Sequence, residues 1–137
     1  MIYKTEIDMV PAPKARPRFT RAGFAYTDKK TQEAEEFVAM NYIADNGKTL
    51  LEGPVGLWLT FEYKVPKSYS KKDKEAAKEG KLAKLTRPDI DNLIKLVLDG
   101  LNGIAYVDDN QVVELRSRKI YSKDGKDKVK IEVVEYD

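Results

Sequence analysis

Acidic side chains are concentrated in one apolar part of the chain. Five aspartates lie between positions 89 and 109, where the sequence is otherwise rich in leucine, isoleucine and valine: Asp89, Asp91, Asp99, Asp108 and Asp109. Carboxylates are costly to place among apolar side chains unless they cap a helix, form a turn or bind a cation. Several carboxylates near one lysine, Lys95, have the chemistry to hold a metal ion against a phosphodiester.

A helix is predicted from Asp89 to Leu101. The residue before a proline avoids helical conformation, so Arg87 is extended and Asp89 occupies the N-cap. One arc of this helix is apolar and comprises Ile90, Leu93, Ile94, Val97, Leu98 and Leu101, with Leu96 alone outside it. The apolar side is therefore expected to be buried.

Two interpretations of the aspartates stay open at this point. In the structural one, Asp89 caps the helix, Asp91 pairs with Lys95 four residues later, and Asp108 belongs to an ordinary turn. In the functional one, Asp109 precedes a strand that lies beside the helix, so that its carboxylate meets those of Asp89 and Asp91. Three carboxylates without other ligand types would form a Mg²⁺ site.

The composition restricts the chemistry further. The chain has no cysteine and no histidine, which excludes thiol nucleophiles, zinc clusters and imidazole catalysis. Any metal must be a hard ion bound through oxygen, such as Mg²⁺ or, as a substitute, Mn²⁺. No small-molecule cofactor is indicated.

Basic residues are concentrated in two segments, although the net charge is only +2. The segment Val10–Lys30 has six cations and one anion, and Lys64–Arg87 has nine cations and three anions. Such segregation is typical of a polyanionic partner such as nucleic acid, whereas the alternative is a solvated helix face and a basic loop. The candidate phosphate contacts are Lys14, Arg16, Arg18, Arg21, Lys84 and Arg87.

Strands are expected at residues 2–9, 55–61, 112–121 and 129–136, and a short hairpin is expected across Arg21–Gly23. The last two long strands are expected to pair as a hairpin across Asp124-Gly125. With the helices, these strands predict a single α+β domain over residues 1–137 that has a mixed, mostly antiparallel sheet.

Two more helices are predicted. The first begins near Lys29 and ends at Asn46-Gly47, with Phe37, Met40 and Ile43 expected on its apolar side. The second is a short, highly charged helix between residues 70 and 80. No apolar stretch has the length of a membrane span and the N-terminal residues lack a signal-peptide pattern, so a cytoplasmic location is expected.

The residues around the aspartates resemble the RusA family of Holliday junction resolvases, which occurs in bacteria, phages and prophages. The family pattern D-x-D-N-x-x-K, a helix and then D-D-x-Q-V matches Asp89–Lys95 and Asp108–Val112. The N-terminal PAPKARPR also resembles the start of phage-type members. The likeness covers nearly the whole chain.

This resemblance implies a homodimeric, Mg²⁺-dependent endonuclease that resolves four-way DNA junctions by paired nicks, in recombination and repair. The mostly apolar helix Leu93–Leu101 would supply the dimer contact, with packing in the core of one chain as the alternative. By their positions in the motif, the implied catalytic residues are Asp89, Asp91, Lys95 and Asp109. The three aspartates would also hold the metal, with Asp108 adjacent to them, and Arg87 would contact DNA. Two alternatives stay open: a nucleic-acid-binding module without catalysis, and a less specific metal-dependent DNA phosphodiesterase.

Overall fold

A computed structural model describes residues 1–137 and contains both helices and strands. In chain order the elements are β1 (Ile2–Ile7), β2 (Arg18–Phe19), β3 (Ala25–Tyr26), α1 (Lys29–Asn46), β4 (Val55–Tyr63), α2 (Lys71–Lys78), α3 (Ile90–Leu101), β5 (Val112–Tyr121) and β6 (Lys128–Glu135), with a 3₁₀ turn at Asp109–Gln111. The predicted number, type and order of the elements are confirmed.

The central sheet has four strands in the order β1-β6-β4-β5. β6 pairs antiparallel with both β1 and β4, whereas β4 and β5 pair in parallel. β2 and β3 form a separate two-stranded hairpin, as predicted. The protein is therefore an α+β domain with a mixed, mostly antiparallel sheet, which confirms the predicted fold class.

The predicted hairpin between β5 and β6 is wrong, because β4 lies between these two strands. The turn at Asp124-Gly125 is present, with Gly125 at a φ of 75°. However, the loop passes the end of β4 instead of reversing the chain beside β5. Ser122 donates its backbone N–H to the Tyr63 carbonyl, and Lys64 donates its own to Asp127. The predicted turn is confirmed, but the strand that pairs with β5 is decided by contacts between segments distant in sequence.

The core lies between one face of the sheet and the helices α1 and α3. Alternate residues of β4 face it, and Leu57, Leu59 and Phe61 are at most 2% exposed. Gly100 permits a close contact of the two helices, because a Cβ at this position would lie 3.1 Å from the Glu35 carbonyl oxygen. Each large apolar side chain buried here contributes about 1.5–3 kcal/mol relative to exposure.

The predicted buried side of α1 is wrong. Phe37 and Met40 are 43% and 66% exposed, whereas Val38 and Tyr42 are fully buried. The close contact at Gly100 places Val38 against α3, and the Tyr42 hydroxyl lies 2.9 Å from that of Thr49. The contacts of Val38 with α3 and of Tyr42 with Thr49 therefore decide which side of α1 faces the core. The large apolar side chains of Phe37 and Met40 do not decide it.

Most of the apolar arc of α3 lies in the core of the single chain, whereas Ile90 at its start is 37% exposed. Leu93, Leu96, Val97 and Leu101 are at most 1% exposed. Leu96 is buried with the others although it lies outside the predicted arc. Of the two expectations for this face, core packing is the one observed. No helix of the structure is long and apolar enough to cross a membrane.

Candidate active site

Asp89 occupies the N-cap of α3, but its side chain makes no capping hydrogen bond. The backbone has the extended conformation usual at this position, with φ −69° and ψ 142°. By contrast, Asp28 at the start of α1 accepts a 2.8 Å bond from the Thr31 backbone N–H. The capping role proposed for Asp89 on structural grounds is therefore wrong, and its exposed carboxylate has no partner within the chain.

The expected ion pair between Asp91 and Lys95 is also absent. The Lys95 ammonium instead lies 3.2 Å from Asp99, one turn further along α3. Asp91 is exposed in the first turn and makes neither a hydrogen bond nor an ion pair with its side chain. The positive end of the helix favours the Asp91 carboxylate electrostatically. However, no group in the protein donates a hydrogen bond to its oxygens or forms an ion pair with them.

Asp108 and Asp109 have different roles despite being adjacent. Asp108 caps the 3₁₀ turn, since its carboxylate accepts the Asn110 backbone N–H at 3.0 Å and Gln111 completes a capping box. Asp109 is the first residue of that turn and is joined to the end of α3, where its N–H donates to the Asn102 side chain at 3.0 Å. The structural interpretation thus holds for Asp108 and does not explain Asp109.

Asp109 lies in a locally negative and partly buried position. Burial raises the pKa of its carboxyl above the ordinary value, and a hydrogen bond with Asp108 raises it further. The Lys95 ammonium opposes this rise, while the charge of Asp99 adds to it. Asp109 is therefore within electrostatic reach of the α3 stripe. The site has more negative than positive charge, a balance that a cation would correct.

The donor chemistry suits a hard divalent ion, because every candidate ligand is a carboxylate. As the side chains stand, however, no three carboxylates lie close enough together to hold one metal ion. The predicted convergence of Asp89, Asp91 and Asp109 is thus not confirmed and stays a prediction. Like charges repel one another without a cation between them, and the two acids on α3 are free to rotate because neither has a partner.

A polar groove of about 590 Å³ lies beside the start of α3. The groove joins the basic N-terminal loop to the acidic motif. Apart from two prolines its lining is charged or polar: Pro13, Lys14, Arg16, Arg87, Pro88, Asp89 and Asn92. Arg16 and Arg87 are exposed. Two guanidinium groups in one groove with Asp89 can bind phosphates next to a candidate metal ligand.

Two of the predicted phosphate contacts have their ammonium groups engaged inside the protein. Lys14 is 19% exposed and pairs with Glu35 and with Asp99. Lys84 donates to Thr86 and to the Arg87 carbonyl, and lies 4.4 Å from the centre of the Tyr63 ring. Burial lowers the pKa of Lys84, and the neighbouring charge of Lys119 lowers it further. Both ammonium groups therefore have partners within the chain, and a contact of either lysine with DNA stays a prediction.

Arg18 and Arg21 lie on or between the strands of the β2–β3 hairpin and are exposed. The aromatic side chains of the same hairpin are also exposed: Phe19 by 70%, Phe24 by 71% and Tyr26 by 46%. Burial of these rings in the core was the common expectation for aromatic residues. The structure instead combines two arginines with three exposed rings on one projecting hairpin.

Sequence reasoning missed the residues that position the motif. Lys119 on β5 donates to the carbonyls of Thr86 and Pro88 at 2.8 and 2.9 Å, which fixes the backbone just before Asp89. Gln111 donates to the carbonyls of Leu51 and Gly53, which holds the 3₁₀ turn. The parallel pairing of β4 with β5 brings these contacts together, and no local pattern signals it.

The site has an acidic motif beside a basic groove, and comparison with known proteins gives the family. Residues 8–133 match the family model described as Endodeoxyribonuclease RusA. The chain belongs to this family. It is therefore an enzyme that hydrolyses DNA, a Holliday junction endonuclease in general terms, and its family's nucleases depend on a divalent metal and bind branched DNA junctions.

A more particular likeness is to a protein of Bacillus subtilis (strain 168), the uncharacterized protein YqaN. The two chains are 36% identical over 129 residues, which covers 90% of this chain and 91% of the relative. The relative supports the extent of the shared domain and adds no residue roles.

Proposed function

We propose that this protein is a Mg²⁺-dependent Holliday junction resolvase that makes paired, symmetric nicks in opposing strands during recombination and repair. The observation that carries this proposal is the absence of any structural role for Asp89 and Asp91. Asp89 occupies the N-cap of α3, but its carboxylate accepts no capping hydrogen bond. Asp91 precedes Lys95 by four residues, but Lys95 forms its ion pair with Asp99. Carboxylates kept free in this way at a family motif are available to bind a divalent cation.

The proposed metal ligands are Asp89, Asp91 and Asp109. A bound Mg²⁺ would supply a water of lowered pKa and would polarise the scissile phosphate. Lys95, with its side chain 54% exposed, is the proposed catalytic cation. Its ammonium would stabilise the extra negative charge that the phosphate gains as water attacks.

The groove beside α3 supports a path for the DNA backbone. Arg16 and Arg87 would hold the phosphates next to the scissile one, which positions the strand without reading its sequence. The β2–β3 hairpin supports a second contact, where Arg18 and Arg21 bind phosphates and the exposed rings stack on unpaired bases at the branch. Exposed aromatic rings are costly in a monomer unless a partner covers them.

A homodimer would provide the two symmetric sites that paired nicking needs. The apolar face of α3 is used in the core, so we propose a different contact. Val113 and Leu115 on the edge strand β5 are 66% and 44% exposed, and an edge strand has unpaired backbone groups. Sedimentation equilibrium on wild type and Leu115→Glu tests this contact, since a monomeric wild-type protein would contradict the homodimer.

The decisive test of the activity uses a synthetic four-way junction with each strand labelled in turn. With Mg²⁺, nicks are expected at symmetric positions in two opposing strands, and chelation of the metal should abolish them. A linear duplex of the same sequence is the matched control and should not be cut.

Two outcomes would contradict the proposal. Equal cleavage of the junction and the linear duplex would indicate a less specific DNA phosphodiesterase. Tight binding of the junction without cleavage, with both Mg²⁺ and Mn²⁺, would indicate a binding module in which the acids have no catalytic role.

A further inference from the structure

A continuous line of charged groups connects α1 to the proposed catalytic lysine. The Lys14 ammonium pairs with Glu35 on α1 and lies 3.1 Å from Oδ2 of Asp99. The other oxygen of Asp99, Oδ1, lies 3.2 Å from the Lys95 ammonium. A single carboxylate on α3 is thus held between a lysine of the N-terminal loop and the lysine of the motif.

The Lys14 ammonium points into the protein, unlike the exposed side chain of Arg18 in the same segment. Its side chain is 19% exposed, whereas that of Arg18 is 66% exposed. Burial acts to lower the pKa of Lys14, but its hydrogen bonds to Glu35 and Asp99 outweigh burial and raise the pKa above the ordinary value. The backbone N–H of Lys14 also donates to the Asn92 carbonyl at 2.8 Å, which attaches the loop to the first turn of α3.

We propose that Lys14 is a positioning residue that orients Lys95 through Asp99, and that it does not contact a phosphate. Lys95 is long and more than half exposed, so its ammonium would otherwise sample many rotamers. Asp99 restricts these rotamers only while its own carboxylate is fixed, and Lys14 fixes it. Lys14 also shares the negative charge of Asp99, which leaves more of the Lys95 charge for the substrate.

This inference rests on the proposed function, because it assigns Lys95 a role in turnover. Outer partners that orient a functional side chain typically contribute about 10–100-fold to activity. We therefore expect Lys14→Gln to lower kcat about 10-fold, with little change in junction affinity. Lys14→Arg keeps the positive charge beside Asp99 and should retain most of the activity.

The chain contains a matched control. Lys128 is 13% exposed and is also held by two carboxylates, those of Glu6 and Asp124, but it lies on β6 away from the motif. Lys128→Gln should lower the thermal stability by a similar amount and leave kcat unchanged. If both variants lose stability and neither loses turnover, Lys14 has only a structural role and the inference is wrong.

The central experiment is a double-mutant cycle measured on kcat under saturating junction. If Lys14 acts only through Asp99, the variant with both Lys14→Gln and Asp99→Asn should be no slower than Asp99→Asn alone. Multiplicative losses would contradict the inference. So would weaker junction binding by Lys14→Gln with a smaller salt dependence and an unchanged kcat, since that is the behaviour of a phosphate contact.

A second readout separates this inference from the proposed function. The ¹⁵N NMR signal of the Lys95 ammonium, recorded without DNA or metal, should move in Lys14→Gln and not in Lys128→Gln. An unchanged Lys95 signal would overturn the positioning role even in an active enzyme. If the wild-type protein cuts no junction but the signal moves, the proposed function fails and the coupling of the two lysines stands.

Discussion

Two regions of the molecule contain an aspartate followed four residues later by a lysine. On α3 the residues are Asp91 and Lys95; the second pair is Asp124, in the loop before β6, and Lys128, the first residue of β6. Only the second pair forms an ion pair. Lys95 turns to Asp99 instead, so Asp91 keeps no partner. Identical residue types at identical spacing therefore serve a structural purpose in one region and stay free in the other.

The difference comes from the surroundings of each carboxylate. Asp124 also accepts hydrogen bonds from the Ser122 hydroxyl at 2.6 Å and from the Lys126 backbone N–H at 3.1 Å. The hydrogen bond from Lys128, followed by that from Ser122, holds the pKa of Asp124 far below its ordinary value. Asp91 has no such contacts. Unused hydrogen-bonding capacity distinguishes a candidate functional acid from a structural one better than sequence spacing does.

The largest expected effect separates these two aspartates directly. Asp91→Asn should reduce junction cleavage by at least about 1,000-fold, because a ligand of the metal that activates water is lost. Its thermal stability should fall only slightly, since the mutation removes just the interaction with the positive end of α3, worth about 0.3–1 kcal/mol. Asp124→Asn should show the reverse, with normal cleavage and a lower melting temperature. Cleavage rates and thermal melts on the two purified variants check this pair of outcomes.

The comparison of the lysines gives the next effect. Lys95→Ala should lower turnover by about 100-fold, the usual size when a preorganised charge is removed from a developing anion. Binding of the junction should change little, because the ammonium acts mainly on the transition state. Single-turnover rates and junction affinity measured separately check this, and weaker binding with normal turnover would assign Lys95 to the DNA contact.

The basic residues can also be divided into those with exposed side chains, Arg16 and Arg87, and those such as Lys84 whose ammonium group is bonded within the protein. Arg16→Gln and Arg87→Gln should each reduce the salt dependence of junction binding by about one phosphate contact. Lys84→Gln should leave it unchanged, because its ammonium is already bonded to Thr86 and the Arg87 carbonyl. Junction affinity between low and moderate salt is the measurement. An equal loss of slope in all three variants would show that exposure does not identify the contacts.

The sequence predicted the elements well because their signals are local. The helix boundaries and the Arg21–Gly23 turn depend on residues a few positions apart and are observed, as is most of the apolar arc of α3, with Ile90 exposed and Leu96 added to the buried face. The sequence did not predict that β6 inserts between β1 and β4, nor that α1 buries Val38 and exposes Phe37. Both outcomes are decided by packing between distant segments.

In the site, too, the features set by local sequence were predictable and the contacts between distant segments were not. The sequence motif identified four candidate catalytic residues because its two parts are short and lie close together along the chain: Asp89, Asp91, Lys95 and Asp109. It could not indicate that the Lys14 ammonium turns inward to Asp99, or that Lys119 holds the backbone before the motif. These contacts join segments separated by more than thirty residues along the chain.

The smallest expected effect is on stability against pH, where Asp109 and Asp124 should have opposite signs. The raised pKa of Asp109 means that its ionised form destabilises the fold, so this cost is absent in acid and appears as pH rises through its folded pKa. Asp109→Asn should therefore raise the melting temperature at neutral pH by about 2 °C or less without metal.

For Asp124 the folded pKa is lowered, so its stabilisation is present above the ordinary aspartate range and is lost as pH falls towards the folded value. The deficit of Asp124→Asn should then shrink in acid. Thermal melts of both variants and wild type check the signs of the two effects on the melting temperature. The pH should run from about 3 to 7, a range that includes the ordinary aspartate pKa. Shifts of the same sign would mean that the two environments do not differ as described.

The most direct measurement of the central claim is binding of a divalent cation to the protein in the presence of uncleavable junction DNA. Mn²⁺, followed by electron paramagnetic resonance, reports the bound fraction. The acids without structural partners are predicted to hold the ion, so wild type and Asp124→Asn should bind it equally and Asp91→Asn should bind it much more weakly. Equal binding by all three proteins would show that the free carboxylates of α3 are not metal ligands.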